Sequence, residues 1–273
     1  MSFKRNNIQE FIEDKCGCSD LTKWGSYQQN LIQLNLTSED IALVNGYRTL
    51  DAISYWLKAL CSYSQGLHGI YKGFSAWSIV KLYYSIFYCL RCELLLNSYL
   101  LVRNSALFKL NIKTDTQFSK YNSGKARGDH QLTIKLYSDL VANGTISDVI
   151  SSNTIDDDSP YTWMLKQRER VNYQMQNFPD PDIDPLLVKT VDAMHDSKLE
   201  ELLNQMTNSS DNVMLFDKDY SMVAIPSYKL KLLHHELVTQ NCDLTTSDIE
   251  LTHIRSILQS VGLSNSFCDS LTR

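Results

Sequence analysis

The chain has few of the residues that force turns, with only ten glycines and five prolines among its 273 residues. Together with a hydrophobic share of 43%, this scarcity argues against disorder and favours helices. No apolar run approaches the roughly 18 residues that a membrane span requires, and the first ten residues are polar. We therefore expect a soluble, cytoplasmic protein without a membrane segment.

The net charge and the cysteine content exclude further classes of protein. A formal net charge of −5 argues against non-specific electrostatic binding to nucleic acid, although it is compatible with a local basic pocket. Seven cysteines are an odd number, and Cys61, Cys89 and Cys92 lie inside apolar helical runs, so we expect no disulfide framework. Zinc-ribbon spacing and the GxxxxGKS/T, GxGxxG and GxSxG motifs are absent. We expect no metal and no cofactor.

Apolar periodicity predicts two long helices in the first third of the chain. Residues 37–40 carry an N-cap hydroxyl and first-turn acids, and apolar residues then recur at helical spacing, which predicts a helix over 38–66. After Gly69 and Gly73, an aromatic-rich run over 76–95 repeats every three or four residues and predicts a central, largely buried helix. The short link between them favours an antiparallel hairpin.

The middle of the chain has a weaker pattern. We expect a short strand over 108–112, an exposed loop over 114–129 and a helix over 131–141. The acidic loop 153–159 and Pro160 suit the start of a helix, and the Pro-rich segment 178–181 ends it. A further amphipathic helix is expected over 185–206.

The sequence divides into an N-terminal extension (1–37), a main helical domain (38–206) and a C-terminal accessory unit (212–273). Residues 207–211 read as a linker. The apolar segments 213–216 and 221–225 predict a small β-hairpin around 217–219. Helices follow over 227–239 and 247–263, the second with a capping-box pattern at Ser247 and Glu250.

The most informative segment is Arg-Glu-Arg-Val-Asn-Tyr at residues 168–173. On a helix, Arg168, Asn172 and Tyr173 fall on or near one face, one turn apart. A cation, an amide and a phenol within mutual reach can hold a phosphate. The same three residues can equally form a buried polar latch inside a helical bundle, and the sequence leaves both interpretations open.

The order of parts resembles the HEPN domain family over residues 38–206. The resemblance rests on the long first helix, the aromatic helix with Trp77 and the run 83–88, the Gly128-Asp-His130 insertion, and the 168–173 segment before a Pro-rich stop. It implies an all-α bundle of four or five helices with long antiparallel members, usually dimeric. Many HEPN proteins are metal-independent endoribonucleases of bacterial toxin–antitoxin or antiphage defence systems, so the resemblance also implies RNA as substrate and a homodimer.

The family's catalytic motif is an arginine, four to six residues, and a histidine, and this chain departs from it. Arg168 matches the arginine, but Asn172 and Tyr173 stand where a polar residue and the histidine are expected. A tyrosine is a poor base at neutral pH, although it can donate to a phosphate.

On the catalytic interpretation, a 2′-hydroxyl of RNA attacks the adjacent phosphorus. Arg168 binds the phosphate and stabilises its charge, with help from Arg170. Asn172 positions an oxygen, and His130 is the candidate acid or base. The alternative is a non-catalytic HEPN-like binding or regulatory partner protein in such a system, whose residues 212–273 dock a partner.

Overall fold

The computed structural model describes residues 5–122, 124, 126–208, 211–244 and 247–272. The fold is mostly helical with one small antiparallel sheet, which agrees broadly with the predicted all-α class. The α-helices are α1 (Asn7–Lys15), α2 (Gln28–Gln33), α3 (Ser38–Tyr71), α4 (Ser75–Leu96), α5 (Gly128–Ala142), α6 (Pro160–Glu169), α7 (Val188–His195), α8 (Leu199–Asn208), α9 (Val213–Phe216), α10 (Lys218–Thr239), α11 (Asp248–Ser260) and α12 (Asn265–Thr272). The strands are β1 (Tyr99–Asn104), β2 (Ala106–Asn111) and β3 (Ser119–Lys120). Within these described ranges, no helix is both long and apolar enough to cross a membrane.

Helices α3 and α4 form the predicted antiparallel hairpin. Near the start of α3, Arg48 Nη1 donates to the carbonyl oxygen of Leu95 at the end of α4, at 2.7 Å. Toward the other end, Lys81 Nζ donates to Gln65 Oε1, also at 2.7 Å. Early residues of one helix therefore meet late residues of the other, as antiparallel packing requires.

The two ends of α3 have local causes. Thr37 and Asp40 form a capping box. The Asp40 amide donates to Thr37 Oγ1 at 3.2 Å, and the Thr37 amide donates to Asp40 Oδ2 at 3.0 Å. The predicted start of the helix is therefore confirmed. The helix extends beyond the predicted residue 66 to Tyr71. Gly73 then turns the chain at a φ of 79°, a left-handed conformation that glycine adopts without strain.

The sheet lies between α4 and α5 in the chain. The strand predicted over 108–112 is confirmed as part of β2, which pairs with β1 so that Leu101 faces Lys109. Ser105 forms the tight turn between them at a φ of 52°. The prediction of a simple loop over 114–129 is wrong in part, because β3 pairs there with β2. A two-residue strand is too short to leave a periodic signal in the sequence.

The predicted positions of α5 and α6 are confirmed, but the prediction of a single helix over 185–206 is wrong. That segment contains a 3₁₀ turn (Pro185–Leu187), then α7 and α8. Ser197 takes a φ of 59° between the two helices and interrupts the α-helical path. Val191 and Leu203 are both buried, so the apolar face continues across the break and gives a periodic pattern without a continuous helix.

The β-hairpin predicted over 213–225 is wrong. Residues 213–216 form the single-turn helix α9, and the Asp217 side chain accepts from the Asp219 amide to begin α10. Residues Met222–Ile225 are all buried, so they form a helical segment enclosed on several sides. A short apolar run cannot distinguish that arrangement from a strand. Helix α11 confirms the second predicted C-terminal helix, although Ser247 makes no side-chain capping bond.

Helix α10 shares a buried ion-pair network with α4. Lys229 Nζ lies 2.6 Å from Glu93 Oε2 and 3.0 Å from Asp148 Oδ1, and Lys229 is only 1% exposed. The hydroxyl groups of Tyr137 and Tyr161 donate to Glu93 and Asp148, each at 2.8 Å. The predicted accessory unit 212–273 thus contributes a charged residue to the interior of the main bundle, while the domain boundaries themselves stay a prediction.

We expect Lys229→Met to lower the free energy of unfolding by roughly 3–5 kcal/mol, because it leaves two carboxylates buried without their cation. Urea denaturation followed by circular dichroism measures this change. Lys231→Met, two residues along the same helix, is the matched control and should cost less than about 1 kcal/mol, because Lys231 bonds to Asn208 in an exposed contact. Equal losses in the two variants would contradict a stabilising role for the network.

Candidate active site

The candidate active site lies where α4, the start of α5 and the end of α6 meet. Helix α4 supplies Tyr83 and Tyr84, α5 supplies His130 in its first turn, and α6 supplies Arg168 in its last turn. The Tyr84 ring lies 5.5 Å from the His130 ring and 5.9 Å from Arg168 Cζ. The fold therefore gathers two candidate residues, His130 and Arg168, around one tyrosine of α4.

His130 is half-buried against aromatic rings. Its Nδ1 and the Tyr83 hydroxyl are joined by a hydrogen bond of 2.7 Å, and its ring centroid lies 4.3 Å from that of Phe87. Burial lowers the pKa of His130, and the positive charge of Arg168 lowers it further, while Asp129 acts in the opposite direction. The imidazole is therefore neutral at physiological pH and able to accept a proton.

Arg168 is a partly exposed cation between two phenol rings. Its Cζ lies 5.3 Å from the Tyr173 ring as well as 5.9 Å from the Tyr84 ring. Partial burial acts to lower the pKa of Arg168, but hydrogen bonding to Tyr84 and the nearby phenol groups of Tyr84, Tyr173 and Tyr83 together raise it. The Nε atom is buried and has no hydrogen-bond partner among the residues that the structure describes. The side chain thus keeps its charge and at least one unused donor.

A π turn over residues Arg170–Gln174 explains why Tyr173 reaches Arg168. In a regular α-helix, residues five apart are about 140° apart around the axis, so these two side chains would diverge. The wider turn brings them together, and single π turns are frequent at functional sites. Tyr173 is 70% exposed. Asn172, beside it, is half-buried.

Arg170 points into a different set of contacts. Its Nη2 forms a 2.8 Å ion pair with Asp184, which is 1% exposed, and its Nε donates to Gln167 at 3.0 Å. Asp184 in turn accepts from the Leu186 amide and begins the 3₁₀ turn. The geometry therefore gives Arg170 a structural role in holding the segment after α6, and leaves Arg168 as the cation with donors for a phosphate.

Sequence reasoning missed Tyr83, Tyr84 and Arg91 as parts of this region. Aromatic residues at helical spacing are usually core, and Tyr83 is indeed fully buried. Arg91 Nη2 pairs with Asp129, next to His130, at 3.4 Å. Tyr84 and Arg91 are two helical turns apart on one face of α4, and this spacing of seven residues was the available signal.

The donor chemistry of this region is that of an arginine and a neutral imidazole. Across the described part of the chain, no group of three or more histidine, cysteine, aspartate or glutamate side chains is placed to hold a metal ion. Arg168 can bind and stabilise a phosphate oxygen, and His130 can accept or return a proton.

Comparison with protein-family models, with curated proteins and with solved structures finds no match to this chain.

We expect the pKa of His130 to lie below the ordinary histidine value of about 6.5, and Arg168→Ala to raise it, because the variant removes a nearby positive charge. Nuclear magnetic resonance titration of the histidine ring signals measures both values, with His130→Gln used to assign the signal. Arg127→Ala, an exposed arginine just before α5, is the control. An unchanged His130 pKa in the Arg168 variant would disprove the electrostatic coupling.

Proposed function

We propose that this chain is a HEPN-like, metal-independent endoribonuclease. The observation that carries the proposal is the convergence of Arg168 and His130 on Tyr84. In the HEPN pattern the arginine and histidine come from one helical segment. Here the histidine comes from the start of α5 instead, which supplies the base that the 168–173 segment lacks.

The exposure of the cluster supports a ligand-binding role over a sealed latch. Tyr173 is 70% exposed, and Arg168 is partly exposed with an unpartnered Nε. A structural latch would need these groups to be buried and mutually satisfied, because an unpaired buried donor costs free energy. Arg170, which is paired with buried Asp184, has the features of a latch, and Arg168 does not.

The reaction follows from these groups. His130, neutral at physiological pH, takes the proton of a ribose 2′-hydroxyl as that oxygen attacks the adjacent phosphorus. The P–O5′ bond breaks and the leaving O5′ oxygen takes a proton from solvent water, which leaves a 2′,3′-cyclic phosphate and a 5′-hydroxyl; His130 then releases its own proton to solvent. Arg168 stabilises the negative charge that develops on the phosphoryl oxygens, and the Tyr173 phenol donates to one of them. Tyr83 orients the imidazole through its bond to Nδ1. The bacterial setting and a defence role come from the HEPN resemblance.

A homodimer is part of the proposal and is supported by an exposed aromatic patch next to the site. We use this name for Tyr71, Phe74, Trp77, Tyr173 and Phe178, each of which is at least half exposed. The Trp77 and Phe178 rings lie 6.0 Å apart. Monomeric proteins rarely expose large contiguous apolar patches, and those that are exposed often mark interfaces. Pairing two copies through this patch would place two candidate sites side by side.

The alternative function is a non-catalytic partner protein that binds RNA, a nucleotide or another protein. The departure from the family motif favours it, since a tyrosine stands where the histidine is expected. Ile249 on α11 is 85% exposed, which supports protein docking through the 212–273 region. Such a protein would keep the phosphate contact of Arg168 without cleavage.

We expect the full chain to cleave a mixed pool of labelled RNAs in EDTA, and Arg168→Ala to lose about 100-fold or more of the rate, because a charged transition-state donor is removed. Lys166→Ala, on the exposed side of the same helix, is the matched control and should retain the rate. Mass spectrometry should find cyclic phosphate ends. Equal rates for the Arg168 variant and wild type would refute the proposed site, and no cleavage by any form would favour the binding alternative.

For the dimer, we expect sedimentation velocity to show wild type as a dimer and the double variant Trp77→Ser, Phe178→Ser as a monomer, because burial of the two rings drives association. Ile249→Ser removes a more exposed apolar side chain outside the aromatic patch and should leave the dimer intact. A double variant that remains dimeric would place the interface elsewhere.

A further inference from the structure

A polar cavity that Arg91 helps to line lies between α1, α3, α4 and β1. Its volume is about 200 Å³. Tyr99, Leu101 and Arg103 of β1 line it at alternate positions, as residues on one face of a strand do. Arg91 lines it from α4, and Tyr55 lines it from α3. Arg103 is exposed, so the cavity reaches the protein surface.

Arg91 has donors that the described protein leaves unused. Its side chain is 11% exposed, and its Nε and Nη1 are buried without a hydrogen-bond partner in the part of the chain that the structure describes. Its contact with an acidic side chain, from Nη2 to Asp129, is long at 3.4 Å. Buried guanidinium donors without acceptors are costly, so this residue is poised to accept an anion.

The surroundings of Arg91 carry an excess of positive charge. Arg91 Cζ and Lys58 Nζ lie 5.7 Å and 5.0 Å from the Tyr55 ring, so two cations share one aromatic residue. Burial lowers the pKa of Lys58, and the charge of Arg91 lowers it further, although Asp51 opposes this. An anion in the cavity would relieve this repulsion.

Asp51 also lines the cavity, but its charge is already engaged by the start of α1. Its Oδ1 accepts from the Asn7 backbone and side-chain nitrogens, both at 2.8 Å, and its Oδ2 accepts from the Ile8 amide at 3.0 Å. A carboxylate at a helix N-terminus is offset by the positive end of the helix dipole. Arg91 and Arg103 therefore dominate the charge that the cavity offers.

We propose that this cavity binds a phosphate group, held between the guanidinium groups of Arg91 and Arg103. Two guanidiniums present more donors than the two coplanar oxygens of a carboxylate can use, whereas phosphate spreads its oxygens tetrahedrally. A volume of about 200 Å³ fits one phosphate with a small attached group and is below the roughly 300–1,000 Å³ of pockets for larger ligands. The site is separate from Arg168, and the proposal does not rest on ribonuclease activity.

Isothermal titration calorimetry of the full chain with inorganic phosphate at constant ionic strength tests this site. Arg91→Gln should weaken phosphate binding by about tenfold or more, since a charge-assisted donor pair is lost. Arg103→Gln should also weaken it, and this exposed position keeps the test valid if the Arg91 variant fails to fold, which circular dichroism reveals. Lys166→Gln, at an exposed cation of α6 outside both sites, is the matched control and should leave this binding event within about twofold of wild type. Arg168→Gln distinguishes binding in this cavity from binding at the candidate active site.

Further ligands identify the source of the phosphate. Ribose 5-phosphate binding more tightly than inorganic phosphate would assign the cavity to an organic phosphate, and the reverse order to the free ion; both outcomes support the proposal. Acetate binding as tightly as phosphate would overturn it. Loss of phosphate binding in the Arg168 variant but not in the Arg91 and Arg103 variants would also overturn it, because the ion would then lie at the candidate active site.

Discussion

The buried ion pair between Lys229 and Glu93 fixes the rotation of α4, and the candidate active site depends on that rotation. A buried ammonium requires carboxylate partners, so Glu93 must face α10. At about 100° per residue, Tyr84 then lies on the opposite face of α4, and Arg91 and Trp77 lie within about 20° of Tyr84. One interior contact thus directs aromatic and cationic side chains to the other side of the helix.

The same network positions α6. Tyr161 donates to Asp148, and Arg168, seven residues later, falls within about 20° of the same helical face. Burial acts to raise the pKa of Asp148 but Lys229 lowers it, and burial acts to lower the pKa of Lys229 but Glu93 raises it. Both groups therefore stay charged around neutral pH, and the contact that holds α6 against the bundle persists there.

Periodicity and start signals predict two of the helices that carry the site, because α4 has a long apolar face and α6 has a clear start signal. Periodicity fails where a segment is compatible with both helix and strand and tertiary contacts decide between them. Residues 213–225 are such a segment, since their apolar run is enclosed by the rest of the protein and forms helix. A lysine side chain is normally solvent-facing, so no local pattern indicates the buried ion pair of Lys229. The convergence of His130 with Arg168 also depends on packing between separate helices, and the π turn that carries Tyr173 has no compositional marker.

His130 lies close to two arginines, and this arrangement reconciles a net charge of −5 with local anion sites. Burial is the main cause of its lowered pKa, and Arg168 and Arg91 both add to the effect. The histidine therefore stays neutral, and the positive charge remains on the guanidinium groups. The positive charge of Arg91 opposes protonation of His130, and an anion bound to Arg91 would cancel part of that effect. If both proposals hold, the cavity and the candidate active site are coupled through the charge of Arg91.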